Sequence, residues 1–201
     1  MDKKLFIIAV AATTLLFSSK SHACGHEGWY GGADYMQLLQ FSPDNQLVGG
    51  GVGGSGKINF RTRYGAQVKV GKDFCGSRFG FEFPFSYNRQ RLNRQNFINV
   101  FGIDANAVIH LVETPEGADF YLIAGTGMNF IPSNAASNLR RTIGVNLNFG
   151  PGFQYFISKK PKVALGISIP LKYTLYFGNN LSAKKTQVLG FPITLGFSVA
   201  F

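Results

Sequence analysis

Phe79, Phe81, Phe83, Phe85 and Tyr87 alternate with Arg78, Gly80, Glu82, Pro84 and Ser86. A period of two puts the rings on one face of a β-strand and the small or charged residues on the other. The pattern returns along the chain. Phe60, Thr62, Tyr64, Ala66 and Val68 oppose Arg61, Arg63, Gly65, Gln67 and Lys69, and Ile143, Val145, Leu147 and Phe149 oppose Gly144, Asn146 and Asn148. Leu165, Ile167, Ile169, Leu171, Tyr173 and Leu175 oppose Gly166, Ser168, Pro170, Lys172 and Thr174. The last segment sets Phe191, Ile193, Leu195, Phe197, Val199 and Phe201 against Pro192, Thr194, Gly196, Ser198 and Ala200.

Three less regular segments complete the set, with their phase open by one residue. Over about 29–40, Trp29, Ala33 and Tyr35 oppose Asp34; over about 97–111, Phe97, Phe101, Ile103 and Ile109 oppose Asp104, Asn106 and His110. Over about 119–130, Phe120, Leu122, Ala124 and Met128 oppose Tyr121, Gly125, Gly127 and Asn129. The chain thus predicts about eight strands, a number that bacterial outer-membrane barrels use. Its connections alternate in length: short at 71–77, 114–118 and 158–162, long or polar at 42–57, 88–96, 131–141 and 178–186. Every short link falls on the end that carries both termini, the parity an even-stranded barrel requires.

Composition sharpens the class. Twenty Phe and 25 Gly accompany only 15% charged residues, below the roughly 25% of soluble domains. Past the first residues no apolar run reaches the roughly 18 that a membrane helix needs, so strands are the remaining way across a bilayer. At the start, Lys3 and Lys4 precede an apolar run from Leu5 to Phe17, and Ser21-His22-Ala23 offers small residues for cleavage after Ala23. Residues 1–23 are therefore expected to be a secretory signal peptide, with residues 24–201 as one barrel domain. Losing that leader, which holds Lys3, Lys4 and Lys20 against Asp2, lowers the net charge from +10 to +8.

Here the sequence resembles the OmpA/OmpX-type family of small outer-membrane barrels, through Trp29-Tyr30-Gly31-Gly32-Ala33 opening the first strand and through the terminal aromatic row. The resemblance implies an all-β, antiparallel, eight-stranded transmembrane up-and-down barrel in the bacterial outer membrane. It further implies that Leu195, Phe197, Val199 and Phe201 are the signal presented to the barrel-assembly machinery. The chain stops at Phe201, so a peptidoglycan-binding domain is not implied.

Lipocalin-like barrels share the strand count but turn their apolar face inward. Here the opposite face carries Arg61, Arg63, Lys69, Glu82, Asp104 and Lys172, which suits a closed interior better than rows of Phe suit water. Glu82 and Asp104 are expected to pair with some of those cations, since unpaired charge inside a narrow barrel is costly. A barrel this narrow is filled by side chains, so a general porin is excluded. A narrow gated pore remains an alternative.

Cys24 precedes the first strand and Cys75 lies in the link between the second and third. Both fall on the periplasmic, oxidising side, and the two strand ends are neighbours, so a Cys24 to Cys75 disulfide is expected. Lipidation of Cys24, for which only Ala23 fits the usual pattern, and two free thiols are the alternatives. Gly51 to Lys57 nearly spells a phosphate-binding loop, but Ile58 stands where Ser or Thr is needed and a strand follows rather than a helix, so a loop is the reading. The mature chain offers only His26 and His110 for catalysis, with no Ser evidently in reach, so no enzyme is expected; a lipid A-modifying enzyme is the minor alternative. Cys24, His26 and Glu27 are spaced too closely to signal a metal site, and no cofactor is expected.

The long links carry Lys57, Arg89, Arg91, Arg94, Arg140, Arg141, Lys184 and Lys185 against Asp44. Arginine matches phosphate in bidentate geometry, so this end is expected to meet lipopolysaccharide head groups or anionic host surfaces, against the simpler reading of a solvated rim. Nucleic acid is not an expected partner despite a pI near 9.8, because the charge sits on loops of an exported chain. A monomer is expected.

Overall fold

In the computed structural model, residues 28–41, 61–74, 77–91, 97–114, 117–133, 141–159, 162–177 and 186–201 are described. They form β1 (Gly28–Phe41), β2 (Arg61–Asp73), β3 (Phe79–Arg91), β4 (Phe97–Glu113), β5 (Ala118–Ile131), β6 (Thr142–Lys159), β7 (Lys162–Ser168), β8 (Leu171–Phe177) and β9 (Thr186–Ala200). Every pairing is antiparallel, from β1 to β7 each strand lies beside the next in sequence, and β1 pairs with β9 to close the sheet. β7 and β8 both lie between β6 and β9, so they are two halves of one stave and the barrel has eight staves. Among the described residues there is no helix. The expected eight strands are present, with the seventh split at Ile169-Pro170 because proline cannot donate to a ladder.

The faces follow the sequence periodicity. Phe79, Phe83, Phe85 and Tyr87 on β3, and Ile143, Val145, Leu147 and Phe149 on β6, are exposed, while the intervening Glu82, Ser86, Asn146 and Asn148 are buried. The orientation is therefore the reverse of a lipocalin. Closure also removes the free strand edges that a bilayer would not tolerate. The strand ends at Asp73 and Phe79, at Glu113 and Ala118, and at Lys159 and Lys162 lie on the end where Phe201 N donates to Trp29 O at 2.9 Å.

Inside, glycines make room for carboxylates. A side chain at Gly127 would collide with Asp104, and one at Gly196 with Asp34. Near the long-loop end the interior turns apolar, where Ile98, Val100, Ile131, Tyr176 and Val188 form a buried cluster.

Candidate functional site: the lumen and the two rims

Polar groups from different strands meet inside the lumen. Lys172 on β8 reaches across to Asp104 on β4, with Nζ 2.8 Å from Oδ2 and 3.1 Å from Oδ1. Lys69 on β2 lies 3.3 Å from Asp34 Oδ2 on β1, and Gln67 Nε2 donates to the same oxygen at 2.7 Å. Glu82 accepts from Asn106 Nδ2 at 3.1 Å and from Tyr30 OH at 3.5 Å.

The structure thus brings Asp104 and Lys172 together, but it gives Glu82 no ion pair among the described residues. The expectation that Glu82 pairs with a cation is corrected: Lys69, the cation beside it, is held by the nearer Asp34, and a tyrosine and an amide serve Glu82 instead. The backbones of Arg61 and Arg63 fall on inward positions of β2, but their side chains lie outside the described part.

At the end bearing the termini, His110 joins three strands. Its Nδ1 is 2.8 Å from Asp119 Oδ2 on β5, and its Nε2 is 3.3 Å from Asp73 Oδ1 on β2. A ring that donates from both nitrogens satisfies both carboxylates. Gln154 Nε2 adds a bond to Asp119 Oδ2 at 2.8 Å. Sequence reasoning left Asp34, Asp73 and Asp119 out of the interior set. Their inward parity was the available signal, obscured around His110 by a register shift between His110 and Val112.

Both ring nitrogens of His110 therefore face carboxylates rather than a serine. Among the described residues no cluster of His, Cys, Asp or Glu has metal-binding geometry. Two small cavities lie in the lumen. One, of about 60 Å³, is lined by residues that include Asn88, Asp104, Asn148, Pro170, Lys172 and Pro192. The other, of about 20 Å³, lies against Tyr30, Asp73, His110 and Tyr121, and Glu82 borders both.

At the opposite rim, Arg89 on β3 and Arg141 before β6 are exposed on the outward face, and the Arg141 guanidinium sits 4.7 Å from the centre of the Phe130 ring. Nearby, Tyr87 OH donates to Asn99 Oδ1 at 3.0 Å. Arg94, Arg140, Lys57, Lys184, Lys185 and Asp44 lie outside the described residues, as do the side chain of Arg91, both cysteines, Ala23, His26 and residues 51–57. In the last strand Leu195, Phe197 and Phe201 are exposed on the outer face and Val199 is half-buried.

No protein-family model matches the chain, and no curated protein sequence matches it. Solved structures do. Neisserial surface protein A has 15% sequence identity and a TM-score of 0.65, over 87% of this chain and 98% of that one. The outer membrane protein OprG from Pseudomonas aeruginosa has 14% identity and a TM-score of 0.51, over 88% and 97%. Ail, the attachment invasion locus protein of Yersinia pestis, has 17% identity and a TM-score of 0.50, over 87% and 99%, and has also been solved with the heparin analogue sucrose octasulfate. With a closed antiparallel sheet, an apolar outer belt and a charged lumen, the chain folds as a small eight-stranded β-barrel of the OmpA/OmpX outer-membrane type.

Proposed function

We propose that the protein is a surface-interaction barrel of the outer membrane, exported by cleavage after Ala23, whose basic outward rim contacts phosphate- or sulfate-bearing molecules. The observation that carries this is the pair Arg89 and Arg141, both exposed and outward-facing at the margin of the apolar belt. Cations at that height meet the phosphates of lipopolysaccharide in the outer leaflet, and a guanidinium braced on a ring, as Arg141 is on Phe130, keeps its fork of donors pre-oriented. Arg91, Arg94, Arg140, Lys184 and Lys185 belong to the same end by sequence and add to the charge. That Ail takes a heparin analogue supports reading this rim as a contact for anionic host polysaccharides too.

The test is direct. Arg89→Gln with Arg141→Gln should weaken lipopolysaccharide binding by about tenfold, from two charge-assisted contacts of modest exposed strength. Unchanged binding would overturn the proposal.

The outward row Leu195, Phe197, Val199 and Phe201 is our proposed contact for the barrel-assembly machinery. At the periplasmic end, we read Cys24 and Cys75 as a disulfide. The register supports it: Gly28 pairs with Asp73, so the cysteines flank two neighbouring strand ends. Reduction should shift migration on a gel, whereas two titratable thiols in the untreated protein would end this reading.

A further inference from the structure

The barrel wall has a break at mid-height. β7 pairs with β9 up to Ser168↔Thr194, and β8 resumes the same register at Lys172↔Gly190. The three residues between on each side form no ladder pair across the seam, and at the centre of the break that register sets Pro170 against Pro192. Neither proline has a backbone donor to close it. On the β6 side, by contrast, Ile169 N still bonds Pro151 O at 3.0 Å.

Pro170, Pro192, Ser168, Thr194, Lys172 and Gly190, which frame the break, all line the cavity of about 60 Å³. Two buried acceptors in that lining, Asn88 Oδ1 and Asn148 Oδ1, have no hydrogen-bond partner among the described residues. Met36, Leu38, Val100 and Ile123 give the same cavity an apolar side. Towards the long loops it is lined by Val100, Tyr176 and Val188 of the apolar cluster, and Glu82 borders both it and the smaller cavity beside His110.

We propose that this cavity is a binding site for a small amphipathic molecule, a few heavy atoms with one hydrogen-bond donor, reached sideways from the bilayer through the seam between β7/β8 and β9. The donor end satisfies one of the two acceptors, Asn88 Oδ1 or Asn148 Oδ1. The apolar end lies against Met36 and Ile123, and passage through hydrocarbon selects for molecules of this kind. Parting the seam breaks no ladder pair at its centre, which lowers the cost of opening the wall there.

The probe is 1-propanol, followed by NMR on protein in lipid nanodiscs with labelled Met and Ile methyls, in a Cys24→Ser, Cys75→Ser background. Saturable shifts and direct contacts at Met36 and Ile123 are expected, with binding about tenfold weaker in Asn88→Leu with Asn148→Leu. Shifts that never saturate would show that the cavity takes water only, and would overturn the site. For the route, Ser168→Cys with Thr194→Cys pins one margin of the seam, since the native hydroxyls are 2.7 Å apart. Probe exchange should slow at least tenfold when this pair is oxidised and recover on reduction. Pro170→Ala with Pro192→Ala, which restores both missing donors, should slow exchange as well. Exchange unchanged in both variants would overturn the lateral route.

Discussion

Lys172→Ala is expected to cost about 3–5 kcal/mol of folding stability, the range for removing one partner of a buried ion pair. Asp104 is 7% exposed, and the Lys172 ammonium is its only ion-pair partner among the described residues. Without it the carboxylate stays inside the barrel uncompensated. Replacing both groups by apolar ones, Lys172→Met with Asp104→Leu, should recover most of the loss, because neither charge is then desolvated. Urea unfolding in lipid vesicles measures both. A single-variant loss under about 1 kcal/mol would mean that water reaches the pair and the lumen is wetter than its packing indicates.

Leu147→Arg tests the other face. Leu147 is 61% exposed, six residues past Arg141 along β6, and in water such a change shifts stability by roughly half a kcal/mol or less. Facing hydrocarbon it should cost up to about 2–4 kcal/mol. The contrast is read in the same vesicle unfolding assay, with Arg at an exposed rim position as the inexpensive control. A neutral Leu147→Arg would put that face in contact with water.

The sequence read most clearly where one face is uniformly apolar and the other small or charged. β3, β6 and β9 are such strands, and their faces are those that period two implies. Phase was harder in β4, where Ile98, Val100 and Val108 point inward alongside Asp104 and Asn106; with apolar residues on both faces, alternation loses contrast. That same feature hid the inner apolar cluster, since an inward valine and an outward one look alike in sequence.

Of the interior charges, Asp104 and Lys172 were visible as inward polar residues, but their partnership was not. They are 68 positions apart and meet only across the closed lumen. Glu82 shows the limit in the other direction: charge counting gave it a cation, whereas geometry gave it Tyr30 and Asn106. The His110 group needed the ends of β2, β4 and β5 to be brought level, which depends on closure and on a register shift rather than on any local motif.

In the membrane the exposed aromatic and aliphatic rows should touch lipid while the charged residues are enclosed. Single nitroxide labels placed in turn at positions 143 to 149 of the protein in lipid vesicles measure this most directly, through collisions with dissolved oxygen and with a water-soluble nickel chelate. A period of two is expected, with positions 143, 145, 147 and 149 open to oxygen and shielded from nickel, and 144, 146 and 148 protected from both. Nickel access at the odd positions, or no alternation at all, would contradict it.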